Sequence, residues 1–308
     1  MYLLTRIVRL PLTMAPYRFG SNGLVGSSSA GLAGIGEFHV ACRGELLESG
    51  YLVDITVIDR AIRAVFPSRI VAALREEASN RSTLDVVRLL LEGSEELRKH
   101  LPAPLARLAF RSSPFLEVSL EFNAAARAAS TTAASPTDSN NHTRPLAESA
   151  LTMPNTVDTS TGAHPLVSAS PRAVLRETFE FAASHRLHLS ARSDGENRAL
   201  FGKCNNPNGH GHNYRIAVAV EVDASAAPEA RPSFATIEQI VEKEIMGRFD
   251  HKHLNLDCPE FAQTNPSVEN IARVCFEVLS GPFAAAGGKL RDVEVWETDK
   301  TSCRYPSE

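Results

Sequence analysis

A chain of 308 residues with a formal net charge of -4 is too long for one typical domain and fits two. No Lys/Arg block with interleaved aromatics occurs, which excludes a nucleic-acid-binding footprint, and no apolar run reaches transmembrane length. The five cysteines, Cys42, Cys204, Cys258, Cys275 and Cys303, are odd in number and lack CxxC spacing, which favours a reducing, cytoplasmic setting over a disulfide framework.

In chain order, the opening stretch MYLLTRIVRLPLTMAP has some flavour of a signal peptide. Arg6 and Arg9 interrupt it before an apolar region forms, and YLLTRIVRL reads better as a first strand. A Gly-rich segment, GLAGIGEFHVACRGEL, comes next, followed by helices near 57–65 and 83–91 and a strand around 115–122. Residues 123–171 are rich in Ala, Ser, Thr, Pro and Asn and carry no sustained hydrophobic period. Such a segment buries too little apolar surface to offset its chain entropy and reads as a flexible linker.

Beyond the linker the order repeats. A strand is predicted over 177–188, then a Gly-rich loop, a strand over 214–222 and a helix over 233–249. In that helix Ile237, Ile240, Val241 and Ile245 recur at helical spacing, and Ser233 is a plausible N-cap. A second helix over 267–279 aligns Val268, Ile271, Ala272 and Cys275, and the strand LRDVEVWET follows. The shared order implies an internal duplication, with boundaries at 1–122, 123–171 and 172–308. Laying GIGEFHV on GHGHNYR puts Ile35 and Glu37 where the second copy has His210 and His212, and nothing upstream matches Cys204. The first copy is therefore expected to keep the fold without the chemistry.

The chemistry concentrates in FGKCNNPNGHGHNY, 201–214. His210 and His212 are two residues apart and point the same way only on an extended strand. His185 ends the run ETFEFAASHRLHL, in which Phe179, Phe181, Ala183 and His185 share a face. If these strands pair, three imidazoles converge and a fourth coordination position stays open, as in a catalytic zinc site. Glu297 continues the Val293, Val295 alternation and should face the same way. Taken alone, Cys204 fits a small buried residue as well as a nucleophile, and Asp250 and His251 fit a helix cap as well as an acid–base pair.

Five separated motifs then resemble the 6-pyruvoyl-tetrahydropterin synthase and 6-carboxytetrahydropterin synthase family: SHRL (184–187), GKCNNPNGHGHNY, FDHKHLN (249–255), PSVEN (266–270) and ETDK (297–300). The resemblance covers roughly residues 176–305. It implies an α+β chain of tandem tunnelling-fold units, each an antiparallel four-stranded sheet with two helices on one face. It further implies zinc held by His185, His210 and His212, and Cys204 as base, assisted by Asp250 and His251 of a neighbouring unit. Glu297, with Glu269 and Thr298, would bind the pterin, although Val268 stands where a Thr is usual. The implied substrate is 7,8-dihydroneopterin triphosphate. The product is either 6-pyruvoyl-tetrahydropterin or, on the route to 7-deazapurines such as queuosine, 6-carboxytetrahydropterin. The long CNNPNGHGHNY loop is more like the pyruvoyl-forming branch. A non-catalytic zinc- and pterin-binding scaffold is the alternative. Because the first copy lacks the dyad, the expected assembly is a homotrimer of chains with a ring of C-terminal units stacked on a ring of N-terminal units, and no membrane or nucleic-acid partner.

Overall fold

Eight strands lie side by side in one antiparallel path, with a short ninth strand attached to the fifth. The computed structural model describes residues 1–12, 34–80, 85–122 and 172–307, and the expected linker at 123–171 lies outside them. The N-terminal half supplies β1 (Tyr2–Leu12), β2 (Gly34–Gly44), α1 (Ile55–Asn80), α2 (Val86–His100), β3 (Leu105–Arg111) and β4 (Leu116–Glu121). The C-terminal half supplies β5 (Arg172–His185), α3 (Asp194–Phe201), β6 (His210–Val222), α4 (Phe234–Val241), α5 (Gly247–Phe249), β7 (Lys252–His253), α6 (Leu254–Asp257), α7 (Val268–Ala285), β8 (Lys289–Thr298) and β9 (Thr301–Tyr305). Leaving aside the short β7 and the minor helices, both halves run strand, strand, helices, strand, strand. The expected α+β class, with four antiparallel strands to each half and helices on one face, is what the chain adopts.

Local chemistry accounts for the elements. Ser233 caps α4 through a capping box with Thr236, which satisfies N–H groups that the first turn leaves without partners. The helix passes through a π-type turn at Glu242–Met246 before α5. α1 is much longer than the 57–65 expected and continues past Pro67. β3 and β9 supply the fourth strand of each half, whose place is not read from the residues. They complete the hairpins β3–β4 and β8–β9.

The core lies between the sheet and the helices. In the N-terminal half, Phe38 of β2 packs on Phe66 of α1 with ring centroids 4.4 Å apart and on Phe110 of β3 at 5.1 Å. In the C-terminal half, Ile216, Val218, Val293 and Val295 of the sheet are buried with Ile237, Ile271, Cys275 and Leu279 of the helices. Burying a side chain of this size stabilises the fold by about 1.5–3 kcal/mol.

The halves meet edge to edge. β4 pairs with β5 from Leu116↔Glu177 to Glu121↔Arg172. Arg291 reaches across to Glu121 at 2.5 Å, and Arg231 binds the α2 cap Asp85 at 2.5 Å. A ring of C-terminal halves stacked on a ring of N-terminal halves is therefore not available to this chain, because one continuous ladder holds the two halves in the same sheet.

The expected overlay of the halves also needs correction. In β2 it is Gly36, Phe38, Val40 and Cys42 that face the core, whereas Ile35 is 58% exposed and Glu37 binds Arg9 on the opposite side. Ile35 and Glu37 thus do not occupy the places of His210 and His212. The head of the β1–β2 ladder is Leu12↔Gly34 and that of the β5–β6 ladder is His185↔His210, so Gly34 and Gly36 take those places. A one-residue slip in a strand exchanges the faces of every side chain, and matching glycine to glycine introduced that slip.

Candidate metal centre and active site

β5 and β6 pair in register from Ala173↔Val222 to His185↔His210, which brings the SHRL and HGH motifs together at one end of the sheet. Phe181 stacks on Tyr214 beneath them, with centroids 5.1 Å apart. One ligand nitrogen from each of His185, His210 and His212 falls within 4.8 Å of the others. Gly209 makes the entry to β6 possible: its φ is +71°, and a Cβ there would lie 2.8 Å from His253 Nε2 and 2.9 Å from the His185 carbonyl oxygen.

The donor set fits a metal ion. His185 is fully buried, and its Nδ1–H donates to the Pro266 carbonyl at 2.7 Å, which fixes the tautomer and leaves Nε2 as the lone-pair nitrogen. That Nε2 lies 3.2 Å from His210 Nε2. Two ligands about 2.0–2.1 Å from one tetrahedral zinc would be roughly 3.3 Å apart. His212 Nε2 is buried without a hydrogen-bond partner. Burial, opposed by the bond to Pro266 and reinforced by the neighbouring imidazoles, pushes the His185 pKa down to about 4, so the ring is neutral and able to ligate. Burial also lowers the pKa of His212.

Glu297 joins this cluster, as its strand alternation predicted. Its Oε1 is 3.4 Å from His185 Nε2 and 3.6 Å from His212 Nε2. Burial, then the charges of Glu297 and Cys204, push the Tyr214 phenol far above its ordinary value. Cys204 sits in the turn Gly202–Asn205 that follows α3, and its carbonyl accepts from Leu187 N–H at 2.9 Å.

Asp250 and His251 stand on the other edge of β5. Ala182 turns both backbone groups away from β6: its N–H donates to Asp250 Oδ1 at 2.8 Å, and its carbonyl accepts from His251 N–H at 2.6 Å. His251 Nδ1 lies 2.8 Å from Asp250 Oδ2, and its side chain is 82% exposed. Burial works against ionisation of Asp250, but the bonds from Ala182 and His251 outweigh it and hold the carboxyl below its usual range. His251 has φ 57°, a left-handed conformation that a non-glycine residue holds only when its surroundings impose it. Among the described residues no hydrogen bond joins Cys204 to this dyad. Among the described residues no hydrogen bond joins Glu269 or Thr298 to the histidines either. Glu269 is exposed in the first turn of α7, where its charge adds to burial in raising the Cys303 pKa, and Thr298 Oγ1 accepts from Lys300 N–H in the β8–β9 turn.

Several positioning residues escaped the sequence reading. Asn205 donates to the Leu187 carbonyl at 2.8 Å and bonds His188. Asn255 holds both backbone groups of Arg186, and buried Asn197 binds four backbone groups between Leu189 and Ser193. The runs NNPN and HLN contain two of them, but side-chain amides that tie loops leave no periodic signal.

Residues 174–308 match the family profile described as 6-pyruvoyl tetrahydropterin synthase. The chain is 39% identical to the 6-pyruvoyl tetrahydrobiopterin synthase of Homo sapiens over 137 residues, 44% of this chain and 93% of that protein. It is 40% identical to that of Drosophila melanogaster over 139 residues, 45% of this chain and 82% of that protein. A solved 6-pyruvoyl tetrahydropterin synthase of Caenorhabditis elegans is 33% identical, covering 45% of this chain and 97% of that one with a TM-score of 0.40. A pterin synthase of the lyase type is the class these features define. The chain belongs to the 6-pyruvoyl tetrahydropterin synthase family.

Proposed function

We propose that the C-terminal half is a zinc-dependent lyase that takes 7,8-dihydroneopterin triphosphate, releases triphosphate and forms 6-pyruvoyl-tetrahydropterin. The observation that carries this reading is the cluster of three histidines with Glu297 at the head of the β5–β6 ladder, inside the stretch that matches the family. The names of the relatives and the CNNPNGHGHNY loop favour the pyruvoyl product over the 6-carboxy product of the queuosine route. Three imidazole nitrogens suit zinc. Bound zinc would supply Lewis acidity toward the vicinal hydroxyls of the substrate side chain.

In this reading His185, His210 and His212 hold the ion, and Glu297 accepts hydrogen bonds from the amino-pyrimidinone edge of the pterin. Cys204 removes a carbon-bound proton as its thiolate. Asp250 orients and stabilises the His251 imidazole, and this pair assists the thiol of another chain. Glu269 and Thr298 line the approach to the pterin. The N-terminal half is a non-catalytic copy of the fold that supplies assembly surface, and the five free cysteines fit a cytoplasmic setting. Cys204→Ala is the test. It should keep its metal and its pterin affinity while losing triphosphate release. Full activity in that variant would remove Cys204 from the chemistry, and a wild-type protein that binds pterin without turnover would make it a scaffold.

A further inference from the structure

The carbonyl that orients the buried His185 ring comes from Pro266, 81 residues further along the chain. Residues 265–267 belong to no helix or strand and lead into α7. An irregular segment holds a carbonyl in one direction only if its other backbone groups are tied. Here the tie is the Pro266–Ser267 peptide itself. Its N–H donates to the Asn265 carbonyl at 2.8 Å, and its carbonyl accepts from His185 Nδ1 at 2.7 Å. In a trans peptide the two groups point in opposite directions, so holding the N–H aims the carbonyl. Proline at the centre of this three-residue turn supplies the φ that it requires.

Two side chains hold the turn in place. Asn270, in the first turn of α7, donates from Nδ2 to the same Asn265 carbonyl at 2.9 Å, and its Oδ1 accepts from Arg273 Nη2 at 3.5 Å. A carbonyl oxygen on one side and a guanidinium on the other leave the amide a single orientation. Asn265 in turn accepts through its Oδ1 from the His188 N–H at 3.1 Å. The segment is thus fastened both to the His185 ring and to the backbone three residues later.

Without an aimed acceptor the buried ring has no reason to keep its proton on Nδ1, and a proton on Nε2 would occupy the nitrogen that faces His210 and Glu297. We propose that Asn270 and Asn265 are positioning residues of the histidine cluster: through the Pro266 carbonyl they keep the His185 proton on Nδ1 and its Nε2 lone pair free for a divalent cation such as zinc. This role rests on the metal reading of the cluster and adds the part of the chain that prepares the site before an ion arrives. It gives the PSVEN run a task that neither strand alternation nor helical spacing displays.

Two measurements on the full chain test the assignment. In the zinc-free protein, nitrogen NMR of the His185 imidazole should show the Nδ1–H tautomer in the wild type and a mixture in Asn270→Asp, which keeps the size of the side chain but cannot donate. Competition with a chromogenic chelator should show zinc binding weakened about 10–100-fold in that variant, with the circular dichroism spectrum unchanged. A folded Asn270→Asp with the wild-type tautomer and affinity would overturn the proposal, as would an Nε2–H tautomer in the wild type. Wild-type protein that binds no zinc removes the metal reading, whereas equal binding in the two proteins leaves that reading intact and removes only the positioning role. Should the variant misfold, the wild-type Asn270 amide decides. Slow exchange of its protons with solvent is expected, and fast exchange contradicts the bond to Asn265.

Discussion

At the head of the β5–β6 ladder the facing pair is His185 and His210, and at the head of the β1–β2 ladder it is Leu12 and Gly34. One step further, His212 joins the histidine cluster in the β5–β6 hairpin, whereas Gly36 lies under Phe110 in the β1–β2 hairpin, where a Cβ would come 2.8 Å from Phe110 Cζ. Below these positions, Phe181 stacked on Tyr214 corresponds to Val8 facing Phe38. The head of one hairpin thus holds a cluster of imidazoles and the head of the other an apolar packing of ring on glycine. Neutral nitrogens without partners are costly to bury unless a cation uses them, and an aromatic ring over a glycine needs no ligand. The difference teaches that the hairpin supplies geometry and that a few side chains at its head decide whether it can do chemistry.

The sharpest way to break this comparison is to remove the ligands. His210→Ala/His212→Ala should abolish stoichiometric metal binding and lower turnover roughly 10³-fold or more, as read by metal analysis and product assay. Cys204→Ala should lower turnover by about 10²–10⁴-fold with the metal content unchanged. On the other hairpin, Phe38→Ala should cost about 3–5 kcal/mol of stability in denaturant titration, while the metal stoichiometry of the folded fraction stays the same.

The smallest effect concerns Glu177, which is buried facing Glu238, with Oε2 lacking a hydrogen-bond partner. Burial first, then the Glu238 charge, raises its pKa from 4.5 to about 7. A carboxyl whose folded pKa is raised contributes stability that is complete below the unfolded pKa and is lost as pH rises through the folded one. Wild-type stability should therefore fall by about 2–3 kcal/mol between pH 4.5 and pH 8 through this group. Glu177→Gln should flatten that part of the profile, and an unchanged profile would show that Glu177 ionises freely.

The sequence made the convergence of His185, His210 and His212 legible because its signal is local. A His-x-His pair on a strand must face one way, and Glu297 follows from the alternation of Val293 and Val295. The Ser233 cap and the α7 stripe were readable for the same reason. What was not legible depends on tertiary context. The register of β2 cannot be told from a Gly-x-Gly match, since the choice of face is made by Phe66 and Phe110 packing on Phe38. The edge-to-edge union of the halves rests on β4 and β5, distant in sequence across 123–171. β9, Thr301–Tyr305, is too short to carry a period of its own, and the asparagines that tie the Cys204 loop act through backbone groups that sequence does not display.

The most direct test supplies zinc-loaded protein with 7,8-dihydroneopterin triphosphate and follows triphosphate release together with the mass of the pterin product. Release of triphosphate with a 6-pyruvoyl product, lost in His210→Ala/His212→Ala and kept in Phe38→Ala, is the predicted result. Binding of the pterin without triphosphate release, or turnover that survives loss of the histidines, would contradict the assignment of the chemistry to the head of the β5–β6 hairpin.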